Sequence, residues 1–203
     1  MKKCLIILLS LLLICSQALA EDAVTSATLG IEKLPEVLIQ ENGVLVVYFS
    51  PDDTVRAAAY TIADTLAAEL FEITPEEPYT AEDLDYTNSN ARCMTEMKDA
   101  ASRPAIAELP EDLSGYQTII LCYPIWGGQA PKIICTFLEN ADLSGKTIIP
   151  FCTSNSSGIG NSDTNLHALT DDSVVWQAGK GVKKGNTAED IVRWAAELLP
   201  PQQ

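Results

Sequence analysis

Apolar residues follow two different periods along this chain, and the alternation between them predicts its elements. Val44–Phe49, Thr118–Cys122 and Thr147–Cys152 are unbroken apolar runs of strand length. Such runs read as strands buried on both faces, since a strand with one wet face would alternate. Between the first two runs, Val55, Ala59, Ile62, Ala63 and Leu66 recur at helical spacing, which predicts a helix over about 54–70. A short strand is expected at Leu70–Ile73, closed by Pro75. The stretch Glu76–Pro110 is the least legible; it is long for a connector, so a helix is expected within Ala91–Ala101. Helices are predicted at Ala130–Leu138 and Ser162–Leu169, with a strand near Val174–Trp176. Thr187, with Asp190 three residues on, forms an acidic variant of the capping box and starts a last helix carrying Ile191, Val192, Trp194, Ala195 and Leu198. Strands alternating with helices predict a doubly wound α/β fold with a parallel sheet.

The first twenty residues stand apart. Lys2-Lys3, an apolar core from Cys4 to Cys15 and the Ala18-Leu19-Ala20 site read as a secretory signal peptide, too short for a membrane span. The competing reading is a lipoprotein anchored at Cys15; lipid-modified cysteines resemble each other in following a small residue, and Ile14 favours cleavage after Ala20 instead. The expected location is therefore extracytoplasmic, with no membrane span left after cleavage. Residues 21–42 are polar, weakly periodic and contain Pro35, so they read as a tether, and one domain is expected over 43–203. Losing Lys2 and Lys3 takes the formal charge from −15 to −17, which argues against nucleic acid as a partner. Cys93, Cys122, Cys135 and Cys152 remain, without C-x-x-C or metal spacing; Cys122 and Cys152 end neighbouring strands, where buried thiols are the expected state and a disulfide the minor alternative.

The segment Gln117 to Pro131 carries the most chemistry. Its apolar run meets Tyr123-Pro124, expected to leave the strand ladder because proline cannot donate. Ile125-Trp126-Gly127-Gly128 then places a large aromatic beside bare backbone, at the carboxyl end of a parallel strand. Open α/β sheets bind flat ligands there. Tyr-Pro-Ile-Trp followed by small residues resembles the flavin-contacting loop of flavodoxin-like proteins. Val44-Leu45-Val46-Val47-Tyr48-Phe49-Ser50 is similar to that family's first strand, and Gly145 to Ser154 with Ser157-Gly158-Ile159-Gly160 to its fourth strand and third loop. The resemblance covers roughly Gly43 to Leu199. It implies a five-stranded sheet of order 2-1-3-4-5 with the flavin site at the switch between strands 1 and 3.

Carried over residue by residue, the resemblance implies three contact loops. In the first, Ser50 and Thr54 match hydroxyls that cradle the FMN phosphate at a helix start, with Val55 beside them. Asp52 and Asp53 stand where a hydroxyl residue and a glycine are usual, so these carboxylates oppose a phosphate, and a plain helix cap is the expected role there. In the second, Pro124, Ile125, Trp126, Gly127 and Gly128 would meet the isoalloxazine, with Trp126 stacked over it. In the third, Thr153, Ser154, Asn155 and Gly158 would face the polar edge of the ring; Asn155 and Ser156 replace glycines. The implied function is non-covalent FMN binding and electron transfer with a redox partner protein or a small-molecule donor or acceptor. Two other functions stay open: a binding module that has lost its flavin, and an NAD(P)H-dependent quinone reductase. Whether the chain is an enzyme is open at this point. His167, the single histidine, has no triad or metal partner in sequence, and Arg103 is expected to form a structural ion pair.

Overall fold

The structure, a computed structural model, describes residues 43–199 apart from 156, 184 and 185. The signal peptide and the tether expected before Gly43 lie outside the described residues. The elements are β1 (Val44–Tyr48), α1 (Asp53–Leu66), β2 (Glu69–Glu72), α2 (Arg92–Lys98), β3 (Thr118–Pro124), α3 (Lys132–Asn140), β4 (Thr147–Ser154), α4 (Thr164–His167), β5 (Val175–Trp176), β6 (Lys180–Lys183) and α5 (Ala188–Glu197).

All strand pairs are parallel, in the order β2-β1-β3-β4-β5, and β6 continues beyond β5 along β4. This is the doubly wound α/β sheet the pattern predicts. Side chains alternate between its faces. Leu45, Val47 and Phe49 join the layer formed with α3 and α4, while Val44, Val46 and Tyr48 join the layer formed with α1 and α5. Ile119 through Tyr123 have no exposed surface, and each such apolar side chain contributes about 1.5–3 kcal/mol by leaving water.

Several boundaries differ from expectation. Helix α1 stops at Leu66 rather than Leu70, because Ala67 adopts a left-handed φ of 49° and Ala68 N–H closes back on Ala63 O at 2.9 Å. That reversal starts β2 one residue early. Pro124 stays in the ladder opposite Thr153, contrary to the expected exit. Ile125 N–H donates to Thr153 O, so the donor that Pro124 lacks would point toward β1, whose pairing already ends at Tyr48 opposite Cys122. Helix α4 is only four residues long. The fifth strand is broken in two, and its second half, β6, is absent from the periodicity because Gly181 interrupts it.

Among the described residues, Cys93, Cys122, Cys135 and Cys152 are free and buried. Cys122 lies opposite Phe151, and Cys152 opposite Tyr123, so the two thiols point to opposite faces of the sheet and cannot meet. Burial pushes the Cys152 thiol up to about 12 and Cys122 higher still, which keeps both protonated and unreactive.

Candidate functional site

Because β1, β3 and β4 are neighbours and parallel, the loops that follow them open at the same end of the sheet. Loop 1 (residues 49–53) enters α1. Asp52 is its N-cap, with extended backbone, and its carboxylate accepts from Thr54 N–H at 3.0 Å. Ser50, 7% exposed, accepts from Arg56 N–H at 2.9 Å and donates its own hydroxyl to Asp52 O. Asp53 pairs with Arg56 at 3.2 Å, and the other arm of that guanidinium reaches Glu72 at 2.7 Å. Glu72 also accepts from Tyr48 OH at 2.9 Å; burial and this carboxylate together hold the phenol well above its ordinary value. Val55 turns its side chain into the core beneath α1 and is fully buried, so only its amide faces the turn.

Loop 2 (residues 125–131) is a tight reversal. Trp126 and Gln129 exchange both backbone hydrogen bonds, at 2.9 and 3.0 Å, and Gly127 and Gly128 between them hold φ of 54° and 82°. Two successive left-handed residues belong to a type I′ turn, which glycine enters without steric cost. The turn consumes the amide and carbonyl of Trp126, and Ile125 N–H is spent on Thr153. The exposed backbone of Gly127 and Gly128 is what loop 2 offers a ligand. The Trp126 ring is half-buried and stands nearly perpendicular to Phe49, with centroids 5.7 Å apart, and to Tyr79, at 5.5 Å. Phe49 and Tyr79 also meet edge to face at 5.8 Å. Such pairs contribute about 0.5–1.5 kcal/mol each beyond area burial.

Tyr79 is clamped from behind. Its hydroxyl donates to Glu96 at 2.6 Å, the Arg92 guanidinium lies 4.1 Å over its ring, and Arg92 pairs with Glu96 at 2.7 Å. The connector between β2 and β3 makes this possible by folding back on itself: Pro75 bridges Ile106, with Glu76 N–H on Ala105 O and Ala107 N–H on Thr74 O. Tyr79 carries no periodic signal and follows a proline, so nothing in the sequence pattern pointed to it.

Loop 3 (residues 155–163) is closed by side chains. Ser154 accepts from Gly158 N–H at 2.7 Å, and Ser162, 1% exposed, shares a hydrogen bond with Tyr123 OH at 3.1 Å. Gly158 and Gly160 have φ of 64° and 55°. The loop rests directly on β6, where a Cβ on Gly181 would overlap the backbone of Gly158 and Ile159. Gly181 within the strand, with Gly179 just before it, was the available signal for this close approach. Thr153 and Ser154 are half-buried beside loop 2, and Asn155 is exposed.

Of the residues expected at the site, Ser50, Thr54, Ile125, Trp126, Gly127, Gly128, Thr153, Ser154, Asn155 and Gly158 therefore gather at one end of the sheet. Pro124 and Val55 border it but bury their side chains. Arg103 instead forms a two-pronged pair with Glu139, both contacts 2.7 Å, which holds Glu139 below the usual carboxylate range. His167 stacks on Trp176 at 4.5 Å. No group of three metal-ligating side chains occurs among the described residues. Nor is any helix there long and apolar enough to cross a membrane. The result is an aromatic wall with bare peptide groups and hydroxyls along one edge, suited to a flat heteroaromatic ligand.

Residues 43–198 match the flavodoxin family model. The chain belongs to the flavodoxin family. Two provisionally assigned flavoproteins share the structure of this chain at 38% identity: one from Bacteroides eggerthii (76% of this chain, 96% of the other, TM-score 0.69) and one from Bacteroides uniformis (76% and 98%, TM-score 0.71). A flavoprotein of Lactobacillus acidophilus solved in complex with FMN shares the fold at 19% identity, covering 68% of this chain and 91% of its own, with a TM-score of 0.57. No curated protein matches the chain. Among flavodoxin features, the sheet order 2-1-3-4-5 is present here.

Proposed function

We propose that this protein is an exported flavoprotein that binds a flavin non-covalently and passes electrons between a donor and an acceptor. The observation that carries the reading is the wall formed by Trp126, Phe49 and Tyr79 beside the free backbone of Gly127 and Gly128. The FMN complex of the Lactobacillus acidophilus relative supports it from a chain of the same fold. A bound flavin supplies the redox step; this chain's residues hold the ring, shield one side of it and present peptide groups to its edge. The acidic charge of the whole chain favours a basic partner protein or a small-molecule partner. Export rests on Lys2-Lys3, the apolar run and Ala18-Leu19-Ala20.

The test is the visible spectrum of the purified protein, alone and after adding flavin, followed by reduction with dithionite. Flavin bands that shift on binding and bleach on reduction are expected. A protein that leaves the spectrum of added riboflavin and of added FMN unchanged is not a flavoprotein. Loop 1 favours a second reading in that case, a flavin-free binding module, because its own side chains already bond two amides of the helix start. Intact mass of the exported protein tests the leader: a chain starting at Glu21 is expected, and a diacylated Cys15 would overturn that.

A further inference from the structure

We infer that the flavin held here lacks a phosphate, so that the ligand is of the riboflavin type rather than FMN. This rests on the flavin reading above and concerns only the half of the ligand that loop 1 receives. A phosphate at a helix start is held by vacant N–H groups, by hydroxyls free to donate, and by a favourable local charge. Loop 1 has spent half of the amides and the Ser50 hydroxyl on itself, and its local charge is reversed.

Two of the four N–H groups in the first turn of α1 are already bonded, Thr54 N–H to the Asp52 carboxylate at 3.0 Å and Arg56 N–H to the Ser50 oxygen at 2.9 Å. The Ser50 hydroxyl accepts from Arg56 and donates to Asp52 O, so its capacity is used on both sides. At the position of another hydroxyl, Val55 presents an apolar side chain to the core. The charge is also wrong. The one cation there, Arg56, is shared between Asp53 and Glu72, and Asp52 adds a third carboxylate at the N-cap. An incoming phosphate dianion would have to evict the chain's own carboxylate and then face it. In effect Asp52 stands where the phosphate would stand. Less opposes the ring, because loop 2 has no carboxylate and that of loop 3, Asp163, is turned to the start of α4, where it accepts from Thr164 N–H at 2.8 Å.

The experiment compares riboflavin and FMN on the flavin-stripped protein, by fluorescence titration at low and high salt. Riboflavin is expected to bind roughly tenfold more tightly at low salt, with the gap narrowing as salt screens the carboxylates. The double variant Asp52→Asn, Asp53→Asn keeps a capping side chain, so α1 should survive; circular dichroism verifies this. It should tighten FMN by about tenfold and leave riboflavin unchanged. Tighter binding of FMN than of riboflavin by the wild type would overturn the inference while leaving the flavin reading intact. A riboflavin preference that the double variant does not reduce would overturn the assignment to these aspartates. Binding of neither flavin by either protein removes the flavin reading, and this inference with it.

Discussion

Loop 1 and loop 2 leave adjacent strands of one sheet and reach the same edge, yet they dispose of their backbone groups in opposite ways. Loop 1 turns its polar groups inward, with Asp52 and Ser50 binding two amides of the first turn of α1. Loop 2 closes a two-residue turn on Trp126 and Gln129 alone and leaves the peptide groups of Gly127 and Gly128 open to solvent. The difference separates what a fold supplies from what side chains decide. Parallel strands bring helix starts and turns together wherever the order 2-1-3-4-5 occurs. Whether those starts are vacant depends on one or two residues, because a carboxylate at the N-cap accepts from the same helix amides that a phosphate would use.

The contrast can be broken from the ring side first, where the largest effect is expected. Gly181→Val places side-chain atoms against Gly158 and Ile159, so loop 3 must lift from β6. Overpacking of this kind costs about 1–3 kcal/mol of stability. Urea unfolding should report that loss, and titration should show both flavins weakened together, since loop 1 is untouched. Equal stability of this variant would mean that loop 3 does not depend on β6.

Trp126→Ala comes next. It removes one wall of the ring site and two edge-to-face pairs, and should weaken riboflavin and FMN alike by about 1–2 kcal/mol. Unequal losses would place Trp126 nearer the phosphate half than the geometry suggests. On the other side of the comparison, Asp52→Ala uncaps α1 and should lower stability by about 1 kcal/mol while riboflavin affinity holds. Thermal unfolding separates that from Asp52→Asn, which should lose much less.

The smallest effect sharpens the idea of an acidic cap. Asp190 accepts Thr187 N–H at 2.9 Å in a reciprocal box, and this bond, with the Asn186 amide, holds its carboxyl below the ordinary value. A depressed folded value means the contribution is present above the unfolded carboxyl value of about 4 and fades as pH falls through the folded one. The circular dichroism of the wild type should therefore show α5 loosening as pH drops below about 4, and Asp190→Asn should flatten that part of the curve. A profile identical in both proteins would assign no stabilising role to the box.

Sequence alone determined the layers of this protein. Runs such as Thr118–Cys122 must be buried on both faces, and Val55 to Leu66 must present one apolar stripe, because burial of apolar surface dominates the energy and follows a local period. The Thr187 box was legible for the same reason, since a cap is a contact between residues three apart. The tight turn of loop 2 could be read because Gly127-Gly128 states its own backbone angles. Tertiary structure decided what no local period encodes. Tyr79 reaches Trp126 only after a long connector folds back, and the clamp that holds it joins residues 79, 92 and 96. Cys122 and Cys152 look like partners along the chain and are separated by a one-residue difference in register. The state of loop 1 belongs to both levels. Asp52-Asp53 could be seen in the sequence, but the spent Ser50 hydroxyl and the shared Arg56 could not, since each hydrogen bond depends on where β1, α1 and β2 pack.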